Sequence, residues 1–154
     1  MKHRSRFLTL LLGLVSATAV AGPSADFIER GQLAPCPSSP NCVSSLATDD
    51  GHRIAPLAVP GDASTQMAAL LAVVRDMPRT EIQAQTENYL WVVFSSRLMR
   101  FRDDVEFLLG PGDGVQVRSA SRLGYSDLGV NRARVETIRA KLSQGARVSV
   151  RASE

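Results

Sequence analysis

Residues 101 to 121, FRDDVEFLLGPGDGVQVRSAS, admit one antiparallel register and little else. Side chains alternate between the faces of a strand, so a slip of one residue inverts every position. With Phe107 opposite Val117 and Leu109 opposite Val115, the apolar residues share one face. The other face then sets Glu106 against Arg118 and Arg102 against Arg122, with Asp104 diagonal to both arginines. A one-residue slip would bury Arg118 beside Phe107. The spacing therefore predicts a hairpin turned by the glycine-rich residues 111 to 114, with Glu106 and Arg118 as a cross-strand ion pair. On an open sheet face such a pair contributes less than about 1 kcal/mol.

The flanking segments extend the pattern. Asp62 or Ser64 can cap a helix in which Met67, Leu70, Leu71 and Val74 form one face and which Pro78 ends. Ile82 and Ala84 alternate with polar residues over 80 to 86, Glu87-Asn88 makes a turn, and Tyr89 to Phe94 is apolar on both faces, so a half-exposed strand pairs with a buried one. A third strand is expected from about Leu98 to Leu109, and a fourth from Val115 to Ser121. The closing helix places Leu128, Val135, Ile138 and Leu142 on one face with Asn131 in the same row. Ser126 or Asp127 caps its start and Gly145 ends it. The expected class is α+β: a four-stranded antiparallel meander with both helices on one face, preceded by an irregular Pro-rich lead-in. Residues 63–145 make the domain, residues 22–62 the lead-in, and residues 146–154 a tail expected as a short edge strand or a frayed end.

Lys2, Arg4 and Arg6 precede an apolar run from Phe7 to about Val15, and Ala19 and Ala21 stand where signal peptidase reads small residues. Residues 1–21 are read as a secretory signal, with an uncleaved anchor as the alternative. Its removal takes three of the 18 basic residues and none of the 15 acidic ones, so the basic character belongs to the leader and the remainder is balanced. Nucleic-acid binding loses its electrostatic argument. Membrane contact is expected only through an uncleaved signal, and the location is secreted, periplasmic after cleavage near Ala21.

Cys36 and Cys42, the only cysteines, are expected to form a disulfide in that compartment. Their spacing is not that of a redox motif. Zinc held by Cys36, Cys42 and His52 matches no structural-zinc spacing, and neither metal nor cofactor is expected.

SPNCVSS at 39 to 45, FRDDVEF at 101 to 107 and RSASRLGYSDLGVNRARVE at 118 to 136 resemble the signature blocks of the domain of unknown function 1499 family of bacterial envelope and plant proteins. The resemblance covers roughly Leu33 to Leu142. It implies a single α+β domain and carries over no activity, ligand or catalytic residue. Arg102 departs from those blocks, where many relatives are apolar.

Three functions compete. The first is a non-enzymatic envelope module that binds a small carboxylate or phosphate: Arg118 and Arg122 leave one face of the last strand, and the chain turns through Tyr125 and Ser126 into a helix N-terminus carrying Asn131 and Arg132. Ser119 and Ser121 add donors. Asp104 and Glu106 sit where the arginines point, so ion pairing competes with ligand binding. The second is a structural or protein-interaction module of the periplasm. The third is a hydrolase built on Asp104 and Glu106, about 6.6 Å apart along the strand. Two facing arginines would lower both pKa values, whereas a general acid needs one raised. No catalytic residue is assigned.

Overall fold

The computed structural model describes residues 22–110 and 114–152. Its elements run α1 (Ala25–Ile28), β1 (Cys42–Ser44), α2 (Ala63–Asp76), β2 (Thr80–Gln85), β3 (Tyr89–Ser95), β4 (Arg102–Leu108), β5 (Gln116–Ser121) and α3 (Val130–Ala152). The α+β class and the antiparallel pairing agree with the sequence expectation. The strand count does not: the sheet has five strands, in the order β1-β5-β4-β3-β2, and the helices number three among the described residues.

The fifth strand comes out of the Pro-rich lead-in. Cys42, Val43 and Ser44 pair with Ala120, Ser119 and Arg118. Three residues are too few for alternation to show in sequence. They are extended because β5 offers an open edge and Val43 finds a place in the main core. The Cys36 and Cys42 sulfurs are bonded, which ties the start of β1 to the segment before it.

The hairpin register follows its parity. Glu106 faces Arg118, Phe107 faces Val117, and Arg122 N–H donates to the Arg102 carbonyl at 3.1 Å. Strand β4 nevertheless begins at Arg102 rather than near Leu98, because Ser95 already faces Arg102 across the ladder. The intervening residues turn, with Arg100 in the left-handed region at φ 51°. Residues 111 to 113 of the expected glycine-rich turn, and the leader at 1–21, lie outside the described residues.

One face of the sheet packs on helices. Leu90, Val92, Val105, Phe107 and Val117 meet Leu70 and Val74 of α2 and Val135, Ile138 and Leu142 of α3. Asp62 caps α2, its carboxylate accepting from Thr65 N–H at 2.8 Å. Leu128 is a correction: it precedes α3 in a left-handed conformation at φ 53° and its side chain is 94% exposed. A second correction concerns the helix end. Gly145 stays helical, and α3 continues through it to Ala152, so the described part of the tail, residues 146–152, is helix instead of strand. An internal glycine costs a helix only about 1 kcal/mol and does not by itself stop one.

The opposite face, expected to be open, is covered by the lead-in. Leu33 packs on Tyr89 and Leu108, with Ile28, Ala84 and Trp91 beside them. A bulge between Ile82 and Ala84 sends Ile82 to the helix side and Ala84 to this one, so the two do not share a face as simple alternation requires. Truncating fully buried Phe107 to Ala should cost about 3–5 kcal/mol. Reducing the Cys36–Cys42 bond, which closes a short loop, should cost about 2 kcal/mol. Urea unfolding of the two proteins side by side checks that order.

Candidate functional site

Strand β4 presents its acidic residues alternately to the two faces, and each gathers a different set of partners. On the lead-in side Glu106, 0% exposed, accepts through Oε1 from Tyr89 Oη at 2.6 Å and Ser24 N–H at 2.9 Å, and through Oε2 from Arg118 Nη1 at 3.1 Å. Burial, followed by the adjacent Glu106 charge, pushes the Tyr89 phenol well above its ordinary pKa, so it stays a donor. Asp104 takes both nitrogens of an Arg122 fork, at 2.8 and 2.9 Å, and the Trp91 indole N–H at 2.8 Å. That bidentate bond to Asp104 raises the Arg122 pKa further.

On the helix side Asp103 pairs with Arg134 of α3, which also lies over the Phe94 ring at 5.1 Å. Asn131 accepts from Ser119 Oγ at 2.6 Å and from Arg134 at 2.6 Å, and donates to the Asn41 carbonyl and Ser121 Oγ at 2.9 Å each. This network is what closes β1, β5 and the start of α3 on one another.

The residues proposed from sequence are therefore divided by the sheet. Arg118 and Arg122 lie on the lead-in face with Glu106 and Asp104; Asn131 lies on the helix face. Tyr125 and Ser126 are exposed on the loop between them. Arg132 reaches the carbonyls of Arg53 and Gly51. The start of α3 is occupied by Asp127, whose carboxylate accepts from Gly129 N–H at 3.0 Å and Asn131 N–H at 2.7 Å. Asp104 and Glu106 each accept from an arginine and from a second side chain, Trp91 and Tyr89 respectively.

A different cationic group stands at the end of the sheet. Arg79, Arg97, Arg100 and Arg102 line a cleft of about 530 Å³ together with Glu81. Arg102 pairs with Glu81 at 3.1 Å, and Arg79 Nε donates to the Ser95 carbonyl at 3.1 Å. Arg97 and Arg100 are exposed and have no carboxylate partner among the described residues. The signal for this group was the tetrapeptide Arg97-Leu98-Met99-Arg100, passed over because it reads as the start of a strand.

Residues 32–142 match the model of a family described as proteins of unknown function, DUF1499. The chain belongs to that family. None of the curated proteins matches it. The DUF1499 match takes in the disulfide, β1, the side chains of both β4 clusters and the arginine cleft, and ends at Leu142, a core residue of α3. It leaves out Ser24, whose amide completes the Glu106 cluster.

His52 is bound on both ring nitrogens, to Asp49 Oδ1 at 2.8 Å and the Ser39 carbonyl at 3.1 Å. Cys36 and Cys42 are committed to each other. The Ser39 carbonyl, ahead of the Asp49 carboxylate, raises the His52 pKa above 6.5. Since the folded value is the higher one, its stabilising contribution is full below about pH 6.5 and is lost as pH climbs through the folded value. A carbon-bound proton NMR titration should place the His52 midpoint above that of a free imidazole, and a midpoint below it would contradict the ring's two contacts. Arg118→Ala should destabilise by about 3–5 kcal/mol, because it strands buried Glu106. Arg122→Ala, at a side chain 37% exposed, should cost about 1 kcal/mol. Urea midpoints distinguish the two.

Proposed function

We infer that this protein is a non-enzymatic envelope module that binds an anionic group, a phosphate or carboxylate, and that the group is read by the arginine cleft. The observation that carries this reading is the pair Arg97 and Arg100, which have no carboxylate partner among the described residues and face the same cleft as Arg79 and Arg102, with Glu81 the one carboxylate among its described lining residues. Guanidinium forks suit phosphate and carboxylate oxygens, and several together favour a multiply charged anion. Arg118 and Arg122, the first choice from sequence, have their charge already balanced by Glu106 and Asp104. Export follows from the reading of residues 1–21 as a signal. Among the described residues no helix is long and apolar enough to cross a membrane.

Inorganic pyrophosphate titrated into the full chain at low ionic strength should bind saturably and weaken as salt is added. The Arg97→Ala/Arg100→Ala double variant should lose at least tenfold in affinity, about 1.4 kcal/mol, with an unchanged melting temperature. Arg118→Ala should show the reverse pattern, less stable with pyrophosphate affinity retained. Calorimetry that finds no saturable binding, or equal affinity in the double variant, overturns the assignment.

A further inference from the structure

Eight large apolar side chains are left exposed among the described residues, and seven of them stand at one end of the sheet. Leu98, Met99 and Phe101 come from the turn between β3 and β4. Leu123, Tyr125 and Leu128 come from the loop between β5 and α3, and Val130 opens α3. The ladder brings these two loops out on the same rim: Ser95 faces Arg102, Asp103 faces Ser121, and Arg122 N–H reaches the Arg102 carbonyl. Single exposed apolar residues are ordinary on a protein surface; their concentration on one rim marks an interaction site. Leu98 is 90% exposed and Leu128 94%, so both stand clear of the body instead of lining a concavity.

Charge sets the partner. The acidic residues of this end are all engaged: Glu81 by Arg102, Asp103 by Arg134, Asp104 by Arg122, and Asp127 by the amides that begin α3. Arg97 and Arg100, which flank Leu98-Met99, and Arg79, bonded to a carbonyl, leave the rim positive. The three non-glycine residues with left-handed backbone among those described, Arg79, Arg100 and Leu128, are all here. Such conformations are held only where the surrounding structure enforces them.

We propose that this rim docks on an anionic phospholipid bilayer, with Arg79, Arg97 and Arg100 on the lipid phosphates and Leu98, Met99 and Leu128 in the acyl boundary. The proposal rests on the arginine cleft as the anion reader and names what presents the anion. Arginines alone would take any polyanion, and apolar tips alone any bilayer; the two interleaved select a negatively charged membrane surface. A groove of about 320 Å³ continues from the cleft past Met77, Phe94 and Val130, sharing Arg79, Ser95 and Ser96 with it. It runs apolar surface directly up to the headgroup site. A bilayer also fits the shape of the rim, since projecting leucines enter a fluid boundary without needing matched pockets. The earlier expectation of membrane contact only through an uncleaved signal is thereby extended to the folded domain.

The test uses the full chain carrying Leu98→Trp, whose added emission reports from the rim itself and is read as a difference from the parent protein. With phosphatidylglycerol vesicles the emission should shift to the blue; with phosphatidylcholine vesicles it should stay. Arg97→Glu/Arg100→Glu in that background should abolish the shift and cut the fraction of protein that reports insertion by about tenfold or more. Leu128→Ser should weaken the shift while leaving pyrophosphate binding intact. No shift on phosphatidylglycerol with pyrophosphate still bound overturns the bilayer proposal and leaves the anion reading standing. Loss of both overturns both. An equal shift on phosphatidylcholine removes the arginines from the mechanism. A shift that grows with protein concentration in the absence of vesicles makes the rim a contact between copies of the chain, which also overturns it.

Discussion

A single buried carboxylate organises this fold. Glu106 has no solvent to share its charge with, and an ion of its size left unpaired inside a protein costs several kcal/mol. Its three donors come from three separate places: the amide of Ser24 in the lead-in, the phenol of Tyr89 on β3 and the guanidinium of Arg118 on β5. Each supplies what the others cannot, so the lead-in is as necessary to the sheet as its own neighbouring strands. The compensation is incomplete. Arg118 Nε is buried without an acceptor among the described residues, a deficit of about 1–3 kcal/mol that the surrounding apolar contacts of Leu33, Tyr89 and Leu108 help to offset.

The sheet then acts as a partition. Polar side chains on the lead-in face neutralise one another around Glu106 and Asp104, while Asp103, Ser119, Asn131 and Arg134 do the same beneath α3. The carboxylates in the middle of the molecule are thus taken up by arginines on both sides of the sheet. Beyond the strand ends, turns carry arginines and apolar residues that none of the described elements covers. The division is physical: strands bring side chains into fixed register with partners, and loops release them.

The hairpin could be read from sequence because burial of Phe107 and Val117 leaves one register, and that register dictates the Glu106–Arg118 contact. The pairing was legible; its surroundings were not. Periodicity carries no sign of which segment will lie over a polar strand face, so the lead-in looked irregular and the ion pair looked exposed. Strand β1 escaped for lack of length. Leu128 was assigned to the buried stripe of α3 because its spacing fits, although a glycine follows it and the chain is left-handed at both positions. The candidate site failed to assemble for a related reason. Arg118 and Asn131 are only thirteen residues apart in sequence, yet odd and even positions of β5 point to opposite sides, and the β5 side chains that bond Asn131 are the odd-numbered Ser119 and Ser121.

The contact between Ser24 and Glu106 spans 82 positions of the chain, and that between Asn41 and Asn131 spans 90. Closing loops of that size carries an entropic cost that must be met before the contacts return anything. A ribosome or a translocation channel delivers the early partner of each contact long before the late one. The lead-in therefore waits, unpaired with its late partners, until β4 and α3 have emerged, and for that interval it depends on whatever else in the cell will keep it from aggregating.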